Sequence, residues 1–398
     1  MRYRKWIILF TICAVSSLLV RFLTTLSLTS KTSSSSSSKL VKTAPESARL
    51  AYLITGAPGQ GKMLQRTLLA VYHPLNQYVV HLDMESSAEE RLILETFIDG
   101  YPCFEEFKNV RMIFKGNWVT SVGPTLLATV LHAAALLLKE GGDWDWFIHL
   151  TASHYPLVSQ DDLLYTFSYL PRDLNFIEHT SNMSWDKFQR TKSIVIDRGL
   201  YRTWKTEMFS VVSLQRPVPT AFKLFTGSAW MILSRQFIEY CIWGWDNLPR
   251  TALMYYANGF SSAEGYFHTV ICNSQEFQNT TVNSDLHYIS WGNPPKQHPR
   301  YLNVSDMSMM VESNAAFAWK FSPNDMSVLD KIDYELLSRS PGMVVPGGWC
   351  TGSSANGSDP CLVSGNIAVL KPTTSSLRLI KLITSLVSAE NFQPKQCK

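Results

Sequence analysis

The sequence predicts an α/β fold, a mainly parallel central sheet flanked by helices, placed behind an N-terminal transmembrane helix. Three observations predict it. Short apolar runs alternate with helix-spaced runs between residues 50 and 150, which is the pattern of βαβ units. The 398-residue chain is 45% hydrophobic and 17% charged, enough for a large core. One long apolar stretch, residues 6–28, stands apart at the N-terminus.

Taken in order, LAYLIT (50–55) is the first buried strand and 56–62 a glycine-rich turn. Residues 63–72 have helical spacing, QYVVHLD (77–83) is the second strand and 88–97 the second helix. A third strand follows at 110–114, a long amphipathic helix at 123–139 and a fourth strand, WFIHL, at 146–150. Further strands are expected at 175–178 and at SAWMIL (228–233), with helices at 235–243 and 261–272. WGNPPKQHPRY (291–301) reads as a proline-broken loop and 311–321 as another helix. Beyond Pro341 the chain is rich in Gly, Ser and Pro, and less order is expected. No internal repeat is visible.

Residues 1–5 carry Arg2, Arg4 and Lys5, and the apolar stretch 6–28 is interrupted only by Arg21, near its far end. That length spans a bilayer, and a basic segment before it places the N-terminus in the cytosol. A cleaved signal peptide is the alternative, but no small-x-small site follows the apolar core. Residues 29–48 contain SSSSSS and read as a flexible stem, leaving 49–398 as a luminal domain. The net charge of +4 comes from the four basic residues of the first 28; without them 32 basic face 32 acidic residues. The main domain therefore has no nucleic-acid footprint.

Two counts agree with a luminal domain. Asn182, Asn279, Asn303 and Asn356 head N-x-S/T sequons. Outside the apolar stretch six cysteines remain: Cys103, Cys241, Cys272, Cys350, Cys361 and Cys397. Six cysteines in an oxidising compartment suggest disulfides, with 15 possible complete pairings. No C-x-x-C or His/Cys cluster points to structural zinc.

In a parallel sheet, ligands bind beyond the carboxyl ends of the strands. Thr55, Asp83 and the loop Thr151-Ala152-Ser153-His154 stand there. Asp83 is placed either to accept hydrogen bonds from a nucleoside or to cap the next helix. GAPGQGKM (56–63) follows a strand and resembles a P-loop, but Met63 replaces the metal-binding Ser or Thr. Asp143-Trp144-Asp145 is a D-x-D, yet it precedes the strand WFIHL and so lies at the wrong end of the sheet. Lys320 lies in the apolar run AAFAWKF, where a cation needs an anion, such as a diphosphate, or a path to solvent. Glu264, in FSSAEGYFHTVICNS (260–274), is the one carboxylate of an uncharged stretch; Ser261-x-x-Glu264 has the form of a capping box.

Together these runs resemble the core-2/I-branching glycosyltransferase family (family 14), and its plant glucuronosyltransferase branch most closely. The resemblance spans about residues 50–349. It rests on QYVVHLD, DWFIHLTASHYPL, FTGSAWMILSRQFIEYCIWGWDNLPRT, SSAEGYFHTVICN, LHYISWGNPPKQHPR and PGGWC. It implies a GT-A-type nucleotide-sugar fold, with a nucleotide-binding part at about 49–170, an acceptor and catalytic part at about 171–349 and a poorly ordered tail after 350. It also implies inversion at the anomeric carbon without a metal or other cofactor. The family base falls on Glu264. The basic pair that replaces the metal falls on Arg300 of His298-Pro299-Arg300 and Lys320 of Ala318-Trp319-Lys320-Phe321. The strand-end acid falls on Asp83, and Thr55 matches a Val of the uridine pocket. Ser153 takes the place of a D-x-D. An aromatic that lines the nucleotide site in animal members falls near Ser121, a departure from the pattern.

The implied reaction is a single displacement in a Golgi-resident, type II membrane protein. Glu264 would take the proton from an acceptor hydroxyl while Arg300 and Lys320 stabilise departing UDP. The implied donor is UDP-glucuronate and the implied acceptor the β-galactan of arabinogalactan glycoproteins. The alternatives are UDP-N-acetylglucosamine or UDP-xylose as donor, or a non-catalytic carbohydrate-binding relative. A helix N-terminus at residue 264 is expected to favour the ionised carboxylate.

Overall fold

Strict alternation along the first strand builds two cores at once. In β1 (Leu50–Gly56), Leu50, Tyr52 and Ile54 pack into one apolar cluster, while Ala51 and Leu53 pack into another on the opposite face of the sheet. That is the period of two expected of a strand buried on both faces. The computed structural model describes residues 45–201, 208–292, 294, 298–353 and 357–397. The N-terminal apolar stretch, most of the stem and Asn356 lie outside the described residues. Among those described, no helix is long and apolar enough to cross a membrane.

The first half follows the βαβ expectation. β1 is followed by α1 (Gly61–Ala70), β2 (Gln77–Leu82), α2 (Ala88–Gly100), α3 (Pro102–Phe107), β3 (Val110–Met112), α4 (Pro124–Glu140) and β4 (Trp146–Thr151). Then come β5 (His154–Pro156), α5 (Gln160–Ser168), β6 (Asn175–Thr180), α6 (Trp185–Lys192), β7 (Ser193–Asp197) and β8 (Met208–Gln215). β9 (Thr226–Ser234), α7 (Arg235–Trp243), α8 (Leu248–Tyr256), α9 (Tyr266–Asn273), β10 (Thr281–Val282) and β11 (His287–Ile289) follow. The seven-stranded sheet has the order β10-β6-β9-β4-β1-β2-β3. β4, β1, β2 and β3 are mutually parallel, and β9 runs antiparallel between β4 and β6. A mixed α/β fold with a mostly parallel central sheet is therefore what the chain forms, and strands from both halves share that sheet.

Three expectations need correction. The helix expected at 311–321 is instead α10 (Met307–Glu312) followed by β12 (Phe317–Trp319). Asn314 takes a left-handed turn (φ 58) that ends the helical path, and the buried AFAW run then pairs with β11 and β5. The region after Pro341 is ordered over its described residues. Trp349 is fully buried beside Tyr72. Buried Asp161 accepts from the Gly348 and Lys371 amides at 2.7 and 2.6 Å, and Asp162 from the Thr373 hydroxyl at 2.9 Å. These bonds fasten α5 to the segment that runs from α11 (Ser327–Glu335) to α12 (Thr374–Val387), and α12 buries Leu379 and Ile383. Composition missed this because Gly and Pro turns here wrap a core. Finally, Cys272–Cys397 and Cys350–Cys361 are bridged, whereas Cys103 and Cys241 remain thiols; a complete pairing of six is not formed.

Candidate active site

The glycine-rich turn after β1 is not a phosphate cradle. Its Gly59 and Gly61 amides both donate to the Glu90 carboxylate, at 3.0 and 2.7 Å, so an internal anion fills the nest. The turn instead presents Gln60, whose side-chain amide reaches the Ser153 hydroxyl at 3.4 Å.

Thr55, one residue before the end of β1, is buried, with its hydroxyl 3.3 Å from His149 Nε2. Burial lowers His149 to about 3, so the ring is neutral. Asp83 follows β2. One carboxylate oxygen accepts from the Glu85 amide at 2.8 Å and the other from Val119 at 3.0 Å. Ser87, not Asp83, caps α2, which removes the capping alternative. Desolvation pushes the Asp83 carboxyl upward.

Ser153 and Lys320 are neighbours through the backbone: the Phe321 amide donates to the Ser153 carbonyl at 2.9 Å. Lys320 follows β12, and its ammonium stands 4.6 Å from the Tyr301 ring centroid. No carboxylate of the described residues pairs with it. The Leu302 amide donates to the Lys320 carbonyl at 2.9 Å, so the 300–302 segment runs alongside. Arg300 is already engaged, as a two-pronged pair with buried Asp306 whose second bond is 2.8 Å. That pair holds the Asp306 carboxyl below its usual range. Behind Lys320, Trp319 packs on Trp230 and His154, joining β12 to β9 and to β5.

Glu264 lies in a tight turn, not a capping box. Ser261 is left-handed (φ 51) and makes no side-chain cap bond. The short helical turn Ser262–Glu264 closes with the Glu264 amide on the Ser261 carbonyl at 2.9 Å. The Ser262 hydroxyl bonds back to the Tyr256 and Gly259 carbonyls at 2.7 and 2.9 Å. Gly265 lets the turn pass Tyr256, where an added Cβ would come within 2.5 Å of the ring. The expected helix thus starts only at Tyr266.

The Glu264 side chain faces an open cleft, lined also by Lys187, Arg190, Thr226, Tyr256 and Phe260. Burial pushes its carboxyl upward, and the positive charges of Lys187 and Arg190 oppose that shift. The helix N-terminus does not win, because desolvation is the larger effect. Lys187 and Arg190 went unread in the sequence. Their signal was present: Ser184 accepts from the Lys187 amide as an N-cap, and positions i, i+3 and i+4 of α6 share one face.

Asp143 and Asp145 stand at the amino end of β4, as the sequence placed them. Asp145 accepts from the Arg49 amide at 2.8 Å, and Asp143 is exposed beside Arg49 and Arg235. Among the described residues one group, His179, Cys272 and Cys397, is spaced like a metal site. Its two sulfurs are joined in a disulfide and offer no thiolates. Asn182, Asn279 and Asn303 are exposed.

The family model described as "Core-2/I-Branching enzyme" matches residues 50–311. Beta-glucuronosyltransferase GlcAT14B of Arabidopsis thaliana is 66% identical over 350 residues, covering 88% of this chain and 80% of that one. GlcAT14A of the same plant is 63% identical over 358 residues, 90% of this chain and 80% of that one. GlcAT14C is 47% identical over 382 residues, 95% and 94% of the two chains. The chain is a glycosyltransferase and belongs to the core-2/I-branching enzyme family.

Proposed function

We propose that the chain is an inverting, metal-independent β-glucuronosyltransferase of GT-A type. It moves glucuronic acid from UDP-glucuronate to the β-galactan of arabinogalactan glycoproteins, as a type II protein of the Golgi membrane. The observation that carries the mechanism is Glu264: a half-buried carboxylate facing a cleft beside two cations. A carboxylate whose proton affinity is raised by burial is a better base at neutral pH than an exposed one. The acceptor sugar enters this cleft, where Lys187 and Arg190 donate to its hydroxyls while Glu264 takes the proton of the attacking one. The nucleotide lies beyond the carboxyl ends of β1 and β2, against Thr55 and Asp83, with the diphosphate toward Ser153 and Lys320. Lys320, which has no carboxylate partner among the described residues, is the principal group on departing UDP. Arg300 adds to it from a fixed pair with Asp306, which limits its movement toward the leaving group.

The donor assignment is supported by the names of relatives 47–66% identical to this chain. The test is UDP release and product analysis with UDP-glucuronate, UDP-N-acetylglucosamine, UDP-xylose and UDP-galactose, each with and without β-galactan and with excess EDTA. Transfer from UDP-glucuronate alone, undiminished by EDTA, is expected. Preference for another donor overturns the sugar assignment. Loss in EDTA restored by Mn²⁺ overturns metal independence. No transfer from any donor favours a non-catalytic binding role.

A further inference from the structure

One loop touches both halves of the site. The Val119 amide donates to Asp83 Oδ2 at 3.0 Å, and the Val122 carbonyl accepts from the Ser261 amide at 2.8 Å. Ser261 in turn holds the Glu264 amide through its carbonyl, at 2.9 Å. The loop also receives support from β2: its Asn117 amide donates to His81 Nε2 at 2.8 Å. Between those two contacts the loop folds around a single carboxylate. Asp197, at the end of β7, is 1% exposed. Its Oδ2 accepts from the Thr120 hydroxyl in a short bond, from the Thr125 hydroxyl at 2.7 Å and from the Thr125 amide at 3.3 Å. Its Oδ1 accepts from the Gly199 amide at 3.0 Å.

No ion pair of the described residues includes Asp197. A buried charge without a cation is costly unless hydrogen bonds and oriented dipoles satisfy it. Here four donors do so, and the first turn of the 17-residue α4 adds its positive end. The packing leaves no slack. A Cβ at Gly123 would stand 2.1 Å from Asp197 Oδ2 and 2.0 Å from the Thr120 hydroxyl. A Cβ at Gly199 would stand 2.8 Å from the Trp118 carbonyl. Ordinary loop conformations need neither a buried charge nor two glycines at contact distance.

Resting on the reading of Asp83 as nucleoside contact and Glu264 as base, we propose that Asp197 is a positioning residue that fixes the separation between the nucleotide subsite and the catalytic turn. It touches neither substrate. It sets the path of the 117–123 loop, and that path fixes how far the base stands from the anomeric carbon. Reacting groups held in near-attack geometry lose about 10²-fold in rate for a displacement of ~1 Å.

The experiment uses the full chain with Asp197→Asn and, as a second variant that keeps the buried carboxylate, Thr120→Val. Measured are kcat, both KM values, UDP affinity and Tm. Asp197→Asn is expected to lower kcat about 10²-fold and to weaken UDP binding, because both ends of the loop shift together. Thr120→Val shows the same pattern with smaller amplitude, and decides the matter if Asp197→Asn fails to fold. Added to Glu264→Gln, either variant lowers the residual kcat by less than it lowers the wild-type value, since misplacing an absent base costs little. A purely architectural Asp197 would lower Tm while leaving kcat and UDP affinity of the folded protein within two-fold of wild type. That result, or full additivity with Glu264→Gln, overturns the proposal. Retained turnover in Glu264→Gln alone overturns the base assignment instead, and UDP affinity then still reports on the loop.

Discussion

Replacing Glu264 by Gln separates catalysis from stability at one atom. The change keeps the size of the side chain and removes its capacity to accept a proton. A positioned general base contributes about 10²–10⁴-fold, so kcat is expected to fall by that factor, equivalent to ~2.7–5.4 kcal/mol of barrier. UDP binding is expected to persist, because the proposed nucleotide contacts, Thr55, Asp83, Ser153 and Lys320, are elsewhere. The structure also fixes the sign of the stability change. No side-chain hydrogen bond or ion pair of the described residues holds the Glu264 carboxylate, while burial raises its proton affinity. An acid with a raised folded-state pKa gives stability that is present while it is protonated and lost as pH climbs from the ordinary glutamate range through the folded value. The Gln variant loses nothing over that window. It should match wild type at the acidic end and gain as pH rises, seen as a Tm that moves above that of wild type. The assay is coupled UDP release with β-galactan, beside thermal melts across pH. Turnover within ten-fold of wild type, or a variant that melts earlier at neutral pH, would refute the reasoning.

Two further predictions follow from the same geometry. Lys320→Ala removes the proposed leaving-group cation without orphaning an anion of the described residues, so UDP affinity should weaken about ten-fold with Tm little changed; titration calorimetry with UDP reads the first point and a thermal melt the second, each against wild type. Arg300→Ala is the wrong comparison, since it strands the buried Asp306 carboxylate, and its activity loss would be mixed with unfolding. Gly227→Ala places a Cβ 1.7 Å from the Glu178 carbonyl and 2.9 Å from His268, forcing β9 away from β6. A loss of ~1–3 kcal/mol in denaturant unfolding is expected, and an unchanged midpoint would show that the strands can slide apart freely.

Much of the scaffold was legible because burial on both faces leaves a plain mark. β1, β2 and β4 are nearly continuous apolar runs, and the bounds of α7 follow from its Ser234 cap and the Gly244 that ends it. That Thr55, Asp83 and Ser153 stand at or just beyond the carboxyl ends of β1, β2 and β4 was legible from the strand pattern alone. Less was legible where local pattern and tertiary contact disagree. AAFAWKF has helical composition, yet its fate was decided by open edges on β5 and β11. S-x-x-E has the form of a cap, yet Ser261 turned left-handed to meet Val122.

The sequence by itself determined the periodicities, the order of the first βαβ units and the presence of one carboxylate in the 260–274 stretch. Those depend on neighbours three or four residues away, and local sterics and hydrophobicity suffice. Only the tertiary structure decided how those groups are used. It filled the glycine-rich nest with Glu90, tied Arg300 to Asp306, and brought Lys187 and Arg190 from α6 to the cleft of Glu264. It also set Asp197 inside the loop that bonds both Asp83 and Ser261, which lie more than a hundred residues apart in the chain. Each outcome rests on desolvation and pairing between distant segments, and a charge's proton affinity or freedom is fixed by what surrounds it after folding, not by the residues beside it in sequence.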